Sequence, residues 1–200
     1  MPNVLVSVPT VGGFVKSALQ ESLCNMSNAG CDLIFQNVGD YGIAMARNIM
    51  ARNAISGGYD WLLMVDSDMV VPKNGLELLL SHERDICMGW YVRGTSDDGR
   101  TSAAKFKGRD HQTNWNADEL EHLASDGGTL LKVKGNGLGF ALVNVDLLKR
   151  IPQPIFEFVE CANGYRCGED YTFCQKCADY GIDLFIDVRV RCGHIHDRML

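Results

Sequence analysis

Five consecutive apolar residues, Trp61–Val65, run directly into the triplet Asp66-Ser67-Asp68. Such a short apolar run is typical of a strand buried on both faces, as in parallel sheets. Residues i and i+2 of an extended chain point to the same side, so Asp66 and Asp68 are predicted to face one divalent cation. Open α/β sheets bind ligands at the carboxyl ends of their strands, which makes the triplet a candidate site. The alternative is that the two acids only cap a turn.

Short apolar runs alternate with helical patterns through the first half of the chain. Strands are predicted over residues 4–8, 32–36, 61–65 and 86–91, with Pro9 expected to end the first of them. Helices are predicted within residues 11–28, over residues 43–56 and up to residue 80. This alternation implies right-handed crossover connections and a parallel sheet.

The second half of the chain has a looser pattern. Residues 93–128 are rich in Gly, Ser, Asp and Asn, with one strand predicted at 103–107 and one amphipathic stretch at 117–124. Further strands are predicted at residues 130–133, 140–143 and 184–190, and helices at 145–150 and 169–180. With 46% hydrophobic residues, 200 residues can bury one core, so the sequence predicts a single domain over residues 1–200.

Charge and composition narrow the possible classes of function. The net charge of -6 gives no general footprint for a phosphate backbone, which disfavours nucleic-acid binding as the primary activity. No apolar run approaches the roughly 20 residues that span a bilayer, and the start of the chain lacks a signal-peptide pattern, so we expect a cytoplasmic protein. The eight cysteines are expected to be reduced. Cys174 and Cys177 are predicted to pack in a helix, with zinc or redox chemistry as the alternative.

Six landmarks occur in a fixed order along the chain. They are Val8-Pro9-Thr10, Ala46-Arg47-Asn48, the D-x-D triplet Asp66-Ser67-Asp68, the Gly-rich segment 137–143, the x-E-D triplet Gly168-Glu169-Asp170, and His194. This order resembles the nucleotide-sugar glycosyltransferases of the GT-A fold, particularly the family 2 type. The resemblance implies a Rossmann-like α/β fold with a mostly parallel central sheet flanked by helices. It also implies a nucleotide-binding half over residues 1–92 and an acceptor and catalytic half over residues 93–200.

The metal site follows from the chemistry that the resemblance implies. Transfer from a nucleotide diphosphate sugar develops negative charge on the leaving diphosphate, which a divalent cation stabilises as a Lewis acid. Mn²⁺ or Mg²⁺ is the implied cofactor, with Asp68 as a direct ligand and Asp66 as a further ligand or as a contact to ribose or metal-bound water. His194 is the implied nitrogen ligand, which would favour Mn²⁺. His196 is the fallback ligand, and a solvated histidine in a polar tail is the alternative.

Two acids are the candidate catalytic residues. Asp170 is the implied general base, because an acceptor hydroxyl needs a positioned carboxylate to remove its proton as it attacks the anomeric carbon. Attack opposite the leaving group inverts that carbon. Glu169 is expected to orient the acceptor or to support Asp170. The alternative is that both acids complement the dipole of the helix that they begin.

Four further residues are the candidate donor contacts. Arg47 is expected to hold phosphate oxygens or to anchor the nearby acids, with surface solvation as the alternative. Pro9, Thr10 and Asp40 are expected to contact the base and ribose. The chain departs from the family pattern here, because residues 36–40 place no acid directly at the end of the predicted second strand. Uridine remains the favoured base.

The glycines and aromatic residues offer contacts for the sugar or the acceptor. Gly135, Gly137 and Gly139 permit close backbone approach, which suits a sugar or acceptor pocket. Trp115 is the expected acceptor contact. Trp90 and Tyr91 are expected to pack in the core, with stacking on a sugar ring as the alternative.

The resulting interpretation is a metal-dependent glycosyltransferase that moves a sugar from a nucleotide diphosphate donor to a hydroxyl acceptor with inversion. The acceptor class is open among a glycan, a protein, a small molecule and a modified nucleobase. A sugar-phosphate nucleotidyltransferase is one alternative, but residues 11–14 followed by Lys16 are a poor version of its basic Gly-rich loop. A glycan-binding module without activity is the other alternative.

Overall fold

The structure is a computed structural model that describes residues 1–94, 99–105, 114–160, 164 and 166–195. Its helices are α1 (Ser17–Asn25), α2 (Ile43–Ser56), α3 (Gly75–Leu80), α4 (Ala117–Ser125), α5 (Val145–Leu148) and α6 (Glu169–Asp179). Its strands are β1 (Asn3–Thr10), β2 (Asp32–Gly39), β3 (Trp61–Val65), β4 (Met69–Val70), β5 (Ile86–Trp90), β6 (Arg100–Ala104), β7 (Asn114–Asn116), β8 (Leu130–Val133), β9 (Phe140–Asn144), β10 (Val159–Glu160), β11 (Arg166–Cys167), β12 (Leu184–Arg191) and β13 (Gly193–His194).

A seven-stranded sheet forms the centre of the molecule in the order β2-β1-β3-β9-β5-β12-β8. The pairs β1/β2, β1/β3 and β5/β12 are parallel, whereas β9 runs antiparallel to β3 and β5, and β8 runs antiparallel to β12. Five strands therefore share one direction, which confirms the mostly parallel sheet. Because β9 lies between β3 and β5, the two predicted halves of the chain share this sheet.

Two apolar layers cover the faces of the sheet. Leu62 and Met64 of β3 pack in the layer that includes α2, α5 and α6, while Leu63 and Val65 pack in the layer that includes α1 and α3. All four side chains are fully buried, as expected for a central strand with both faces covered. This burial fixes the end of β3, and with it the position of the acidic triplet.

Several element boundaries differ from the prediction. Pro9 does not end β1, which continues to Thr10, because β3 pairs only with residues 4–7 and leaves no partner there for the missing N–H of proline. Strand β2 extends to Gly39 rather than residue 36, so Asp40 follows it directly. Helix α1 begins only at Ser17, because Val11 and Phe14 close a tight turn around two glycines with positive φ.

One further strand was misplaced in the less regular middle of the chain. The strand predicted at residues 103–107 is β6, which spans Arg100–Ala104 and pairs with β7. Residues 106 and 107 lie outside the described residues.

The cysteines in the described part of the chain form no disulfide bond. Burial raises the pKa of Cys174 to about 12 and raises that of Cys177 as well, so neither thiol ionises near neutral pH. Cys161 lies outside the described residues. Among the described residues, no helix is both long enough and apolar enough to cross a lipid bilayer.

Asp187 in β12 is a buried carboxylate whose removal should destabilise the fold. It is 0% exposed and accepts hydrogen bonds from His82 Nε2 (2.8 Å), Arg189 Nε (3.0 Å) and Arg189 Nη2 (2.6 Å). Burial alone would raise the pKa of Asp187, but these hydrogen bonds outweigh it and hold the pKa below its usual range.

We expect Asp187→Asn to lower the free energy of unfolding at pH 7 by about 1–3 kcal/mol, measured by urea denaturation. A carboxyl group with a depressed pKa stabilises the folded state above its unfolded-state pKa of about 3.9, and that contribution is lost as the pH falls. The difference between the wild type and the variant should therefore shrink below about pH 4. A difference that stays constant down to pH 3 would contradict this account.

Candidate active site

The acidic triplet forms a turn after β3 and does not continue the strand. The N–H of Met69 donates to the carbonyl oxygen of Asp66 at 3.1 Å, which closes the turn around Ser67 and Asp68. The extended geometry predicted for the triplet is therefore wrong, because it lies beyond the last residue of β3. As a result, the carboxylates of Asp66 and Asp68 contact different partners.

Arg47 joins three elements beneath this turn. Its side chain is 3% exposed, Nη2 donates to Asp66 Oδ1 at 2.7 Å, and Nη1 donates to Glu169 Oε1. Burial alone would lower the pKa of Arg47, but the charges of Asp66 and Glu169 outweigh it and raise the pKa. Arg47 is thus a permanent cation that anchors the nearby acids, and surface solvation does not describe it. Its buried Nε has no hydrogen-bond partner in the described part of the chain.

Asp68 and His194 form the second contact of the site. His194 Nε2 lies 3.1 Å from Asp68 Oδ2, and its ring packs edge-on against Tyr91 with the ring centroids 5.1 Å apart. The backbone holds this pair, because β13 runs antiparallel to β4 and the N–H of Ile195 donates to the carbonyl oxygen of Asp68 at 2.8 Å.

The protonation preferences of this pair are opposite. The hydrogen bond with Asp68 raises the pKa of His194. Burial alone would raise the pKa of Asp68, but the hydrogen bond with His194 outweighs it and lowers the pKa. Both shifts favour the charged forms, an imidazolium beside a carboxylate. An imidazole nitrogen and a carboxylate oxygen are also donor atoms that bind Mn²⁺.

Glu169 and Asp170 occupy the first turn of α6. Glu169 is 7% exposed, and burial raises its pKa despite the nearby charge of Arg47. Burial also raises the pKa of Asp170. The charge of Asp66 raises this pKa further, whereas the charge of Arg47 lowers it but does not outweigh burial. The Oδ1 atom of Asp170 accepts the N–H of Tyr171 at 2.8 Å. A partly buried carboxylate with a raised pKa has the properties of a general base.

The donor atoms of Asp68 and His194 fit two adjacent positions of an octahedral cation. Ligand atoms about 2.1 Å from such an ion lie about 3.0 Å from their neighbours, close to the 3.1 Å between these two atoms. In the described part of the chain no group of three or more His, Cys, Asp or Glu side chains could hold a metal, and Asp66 pairs with Arg47. Oxygens of a bound ligand and of water would have to complete the shell. His196 lies outside the described residues.

The ends of β1 and β2 bring the predicted base contacts together. Asp40 directly follows β2, and its Oδ1 accepts the N–H of Gly12 in the turn after β1 at 3.0 Å. Gly39 packs against Thr10, because a Cβ at position 39 would lie 3.1 Å from Thr10 Oγ1. The hydroxyl of Thr10 is buried, with no hydrogen-bond partner among the described residues. An acid does therefore follow the second strand, so the departure from the family pattern disappears.

The Gly-rich segment does not open a pocket. A Cβ at Gly137 would lie 2.1 Å from Tyr91 Oη, and one at Gly139 would lie 2.9 Å from the same ring. A Cβ at Gly135 would lie 3.0 Å from the ring of Tyr171. The expected sugar or acceptor pocket is thus filled by two tyrosine rings.

The aromatic residues divide between the core and the surface. Trp90 is buried, as expected, and its Nε1 donates to the carbonyl oxygen of Val188 at 2.9 Å. Trp115 packs partly against the core, with Lys105 Nζ 4.4 Å from the centre of its ring. Tyr91 was predicted to pack in the core or to stack on a sugar, and it contacts the ring of His194. The glycines that make room for Tyr91 were the only sign of this role in the sequence.

Solved structures with the same fold are similar to nearly the whole chain. A197 from STIV matches 98% of this chain and 87% of its own, with 20% identity and a TM-score of 0.66. GalNAc-T7 with UDP, GalNAc and Mn²⁺ matches at 15% identity and a TM-score of 0.58 over 99% of this chain. S. aureus TarS in complex with UDP-GlcNAc matches at 14% identity and a TM-score of 0.52, also over 99%.

The GalNAc-T7 and TarS structures are longer than this chain, which spans 44% and 60% of them, respectively. No family model matches the chain, and a search of curated proteins found no match. At these identities the likeness shows the fold alone. The chain therefore has the GT-A fold.

Proposed function

We propose that this protein is a metal-dependent glycosyltransferase that moves a sugar from a UDP-sugar to a hydroxyl acceptor with inversion. The observation that carries the proposal is a pair of charged clusters after β3, in which Arg47 joins Asp66 to Glu169 and His194 contacts Asp68. These residues come from four distant parts of the chain. Charged groups that are buried at a ligand-binding edge, with several shifted pKa values, are typical of catalytic sites.

The donor would bind across the ends of β1, β2 and β3. Asp40, Thr10 and Pro9 would hold the base and ribose, and Asp66 would hold the ribose in the orientation that Arg47 fixes. Asp68 and His194 would hold a divalent cation of the Mn²⁺ or Mg²⁺ type, which when bound neutralises charge on the departing diphosphate. The GalNAc-T7 structure with UDP and Mn²⁺ supports this combination of nucleotide and ion.

The acceptor would be activated by the acids of α6. Asp170 would take the proton of the attacking hydroxyl, and its raised pKa brings it closer to the operating pH than an exposed aspartate. Glu169 would hold the side chain of Arg47 in place, and the charge of Arg47 limits how far burial raises the pKa of Asp170. A base on the face opposite the diphosphate gives inversion at the anomeric carbon, whichever hydroxyl compound the acceptor is.

The test is release of nucleoside diphosphate from a panel of nucleotide sugars in the presence of Mn²⁺. We expect release from a UDP-sugar that is lost with EDTA and reduced about 100-fold by Asp68→Asn. Asp183→Asn is the matched control, because it removes the same charge from an exposed ion pair with Lys132. Mn²⁺ binding, measured by calorimetry, should also weaken in Asp68→Asn and stay unchanged in the control.

Three results would overturn the proposal. Equal release of nucleoside diphosphate with EDTA and with Mn²⁺ would show that the reaction needs no metal ion. Formation of pyrophosphate from a nucleoside triphosphate and a sugar phosphate would indicate a nucleotidyltransferase. No binding of any nucleotide sugar in the panel, with or without Mn²⁺, would leave a glycan-binding module of this fold.

A further inference from the structure

Tyr91 follows the last residue of β5 and is fixed there through its backbone. The hydroxyl of Ser102 in β6 accepts the N–H of Tyr91 at 3.2 Å, and the N–H of Ser102 donates to the carbonyl oxygen of Tyr91 at 2.8 Å. Tyr91 is buried, so its ring packs against neighbouring residues. Because β3 and β5 both run antiparallel to β9, Tyr91 lies at the same edge of the sheet as the acidic triplet.

The Gly-rich segment is shaped around this ring. A Cβ at Gly137 would lie 2.1 Å from Tyr91 Oη, and one at Gly139 would lie 2.9 Å from Tyr91 Cε1, so a side chain at either position would displace the ring. Neither glycine has a positive φ, so the space taken by the ring explains them better than backbone conformation does. The carbonyl oxygen of Gly139 also accepts the N–H of Asp66 at 3.0 Å, which ties this segment to the acidic triplet.

Tyr91 also contacts the imidazole of His194. The ring centroids are 5.1 Å apart and the ring planes are inclined at 61°, an edge-to-face arrangement. His194 Nδ1 lies 3.3 Å from the carbonyl oxygen of Val92, and because a carbonyl oxygen can only accept, Nδ1 carries the hydrogen. Nε2 is therefore the nitrogen that faces Asp68.

We propose that Tyr91 is a positioning residue for the candidate metal site, held by Gly137 and Gly139 and holding the imidazole of His194 with Nε2 toward Asp68. This inference rests on the proposed function, because it takes His194 as a ligand of the cation. Without a neighbouring ring, a histidine side chain can move between staggered rotamers. Metal affinity falls when the groups that orient a ligating histidine are removed. The Gly-rich segment thus acts on the metal site, although it opens no pocket.

Mn²⁺ affinity, measured by calorimetry in the presence of UDP, tests this role. Tyr91→Leu keeps an apolar side chain but removes the ring, and it should weaken Mn²⁺ binding about 10- to 100-fold. Tyr91→Phe keeps the ring and should bind Mn²⁺ like the wild type. The affinity for UDP in EDTA should be the same in all three proteins, because Tyr91 acts on a metal ligand and not on the nucleotide.

A side chain at position 137 tests the same ring from a second direction. Gly137→Ala should weaken Mn²⁺ binding as Tyr91→Leu does, because its Cβ displaces the ring. Adding Tyr91→Phe should recover part of the affinity, because phenylalanine lacks the Oη atom that lies nearest to this Cβ. Gly135→Ala is the matched control, because its Cβ would crowd a different ring, that of Tyr171, at 3.0 Å. It should keep the Mn²⁺ affinity of the wild type.

The contact between the two rings can be measured in the metal-free protein by NMR. The ring current of Tyr91 should shift the imidazole proton signals of His194, which are assigned by their loss in His194→Gln. The shift should persist in Tyr91→Phe and disappear in Tyr91→Leu. Circular dichroism checks that each variant is folded, and if Tyr91→Leu is not, Gly137→Ala and its double variant with Tyr91→Phe decide the matter.

Equal Mn²⁺ affinity in the wild type and in folded Tyr91→Leu would overturn the inference and leave the proposed function intact. The inference also fails if the double variant binds Mn²⁺ no better than Gly137→Ala, or if Gly135→Ala loses as much affinity as Gly137→Ala. A wild type that binds no Mn²⁺, with or without UDP, would overturn both the inference and metal-dependent transfer. A wild type that transfers no sugar but loses its Mn²⁺ affinity in Tyr91→Leu would support the inference and contradict the proposed transfer alone.

Discussion

Replacing Asp170 with asparagine is expected to lower the rate of sugar transfer by about 10²–10⁴-fold, the usual contribution of a general base. Asparagine has nearly the same shape and can still accept the N–H of Tyr171, so the start of α6 should remain folded. The affinity for UDP and Mn²⁺ should stay close to that of the wild type, because Asp170 would act on the acceptor. The measurement is single-turnover transfer with saturating donor, together with calorimetric binding of UDP.

The pH dependence of the transfer rate is a second test of the role of Asp170. A base acts in its ionised form, and burial raises the pKa of Asp170 above the usual aspartate value of about 3.9. Transfer by the wild type should therefore fall as the pH is lowered through this raised pKa. Asp170→Asn should lose this acidic limb, because its remaining activity no longer depends on that carboxylate.

The control for this variant is Asp179→Asn, at the exposed end of the same helix, where Asp179 accepts a hydrogen bond from Gln175. It should retain the full rate. An Asp170→Asn variant that transfers the sugar as fast as this control would show that Asp170 is not the general base. A product that keeps the anomeric configuration of the donor, measured by NMR, would contradict its role as an in-line base.

The sequence predicted the elements whose signals are local. Strand β3 and helix α2 were predicted to the residue, because an unbroken apolar run defines Trp61–Val65 and Gly57 follows the end of Ile43–Ser56. The order of strands was not accessible in the same way. Strand β9 lies antiparallel between β3 and β5, a pairing decided by tertiary packing between distant segments rather than by a local pattern.

In the candidate active site, too, contacts between distant residues were not predictable from local sequence patterns. Two-residue strands carry no periodic signal, so nothing local predicted that β4 and β13 would bring His194 to Asp68. The ion pairs of Arg47 were one of two expectations for that residue, and its burial at 3% was not foreseen for a charged side chain. The acidic triplet was predicted as an extended segment because a strand and a turn cannot be distinguished within three residues.

Replacing Arg47 with methionine is expected to lower the free energy of unfolding by about 3–5 kcal/mol, the cost of leaving buried charges without their partner. Arg47 is the cation that Asp66 and Glu169 share, so its removal leaves two carboxylates close together at the end of β3. Methionine keeps most of the apolar volume, so the loss should reflect charge more than a cavity. Urea denaturation at pH 7 measures it, with Arg52→Met on the exposed face of α2 as the control.

A double variant that loses one positive and one negative charge separates the effect of charge from that of packing. Arg47→Met with Glu169→Gln should recover part of the stability, because one of the two stranded carboxylates becomes neutral. The pH dependence has a definite sign. Without Arg47 the pKa of Glu169, already raised by burial, should rise further, and a raised carboxyl pKa favours the folded state at low pH. The deficit of Arg47→Met should therefore shrink as the pH falls toward about 4.

A deficit that is the same at every pH, and that the second substitution does not relieve, would show that Arg47 acts only by filling space. Recovery in the double variant would instead identify the guanidinium as the group that lets two acids share one edge of the sheet. That distinction bears on the proposed function. Asp66 lies two residues before Asp68, and Glu169 directly precedes Asp170. If one cation holds them in place, Arg47→Lys should be intermediate in stability, since an ammonium lacks the planar fork that reaches both carboxylates.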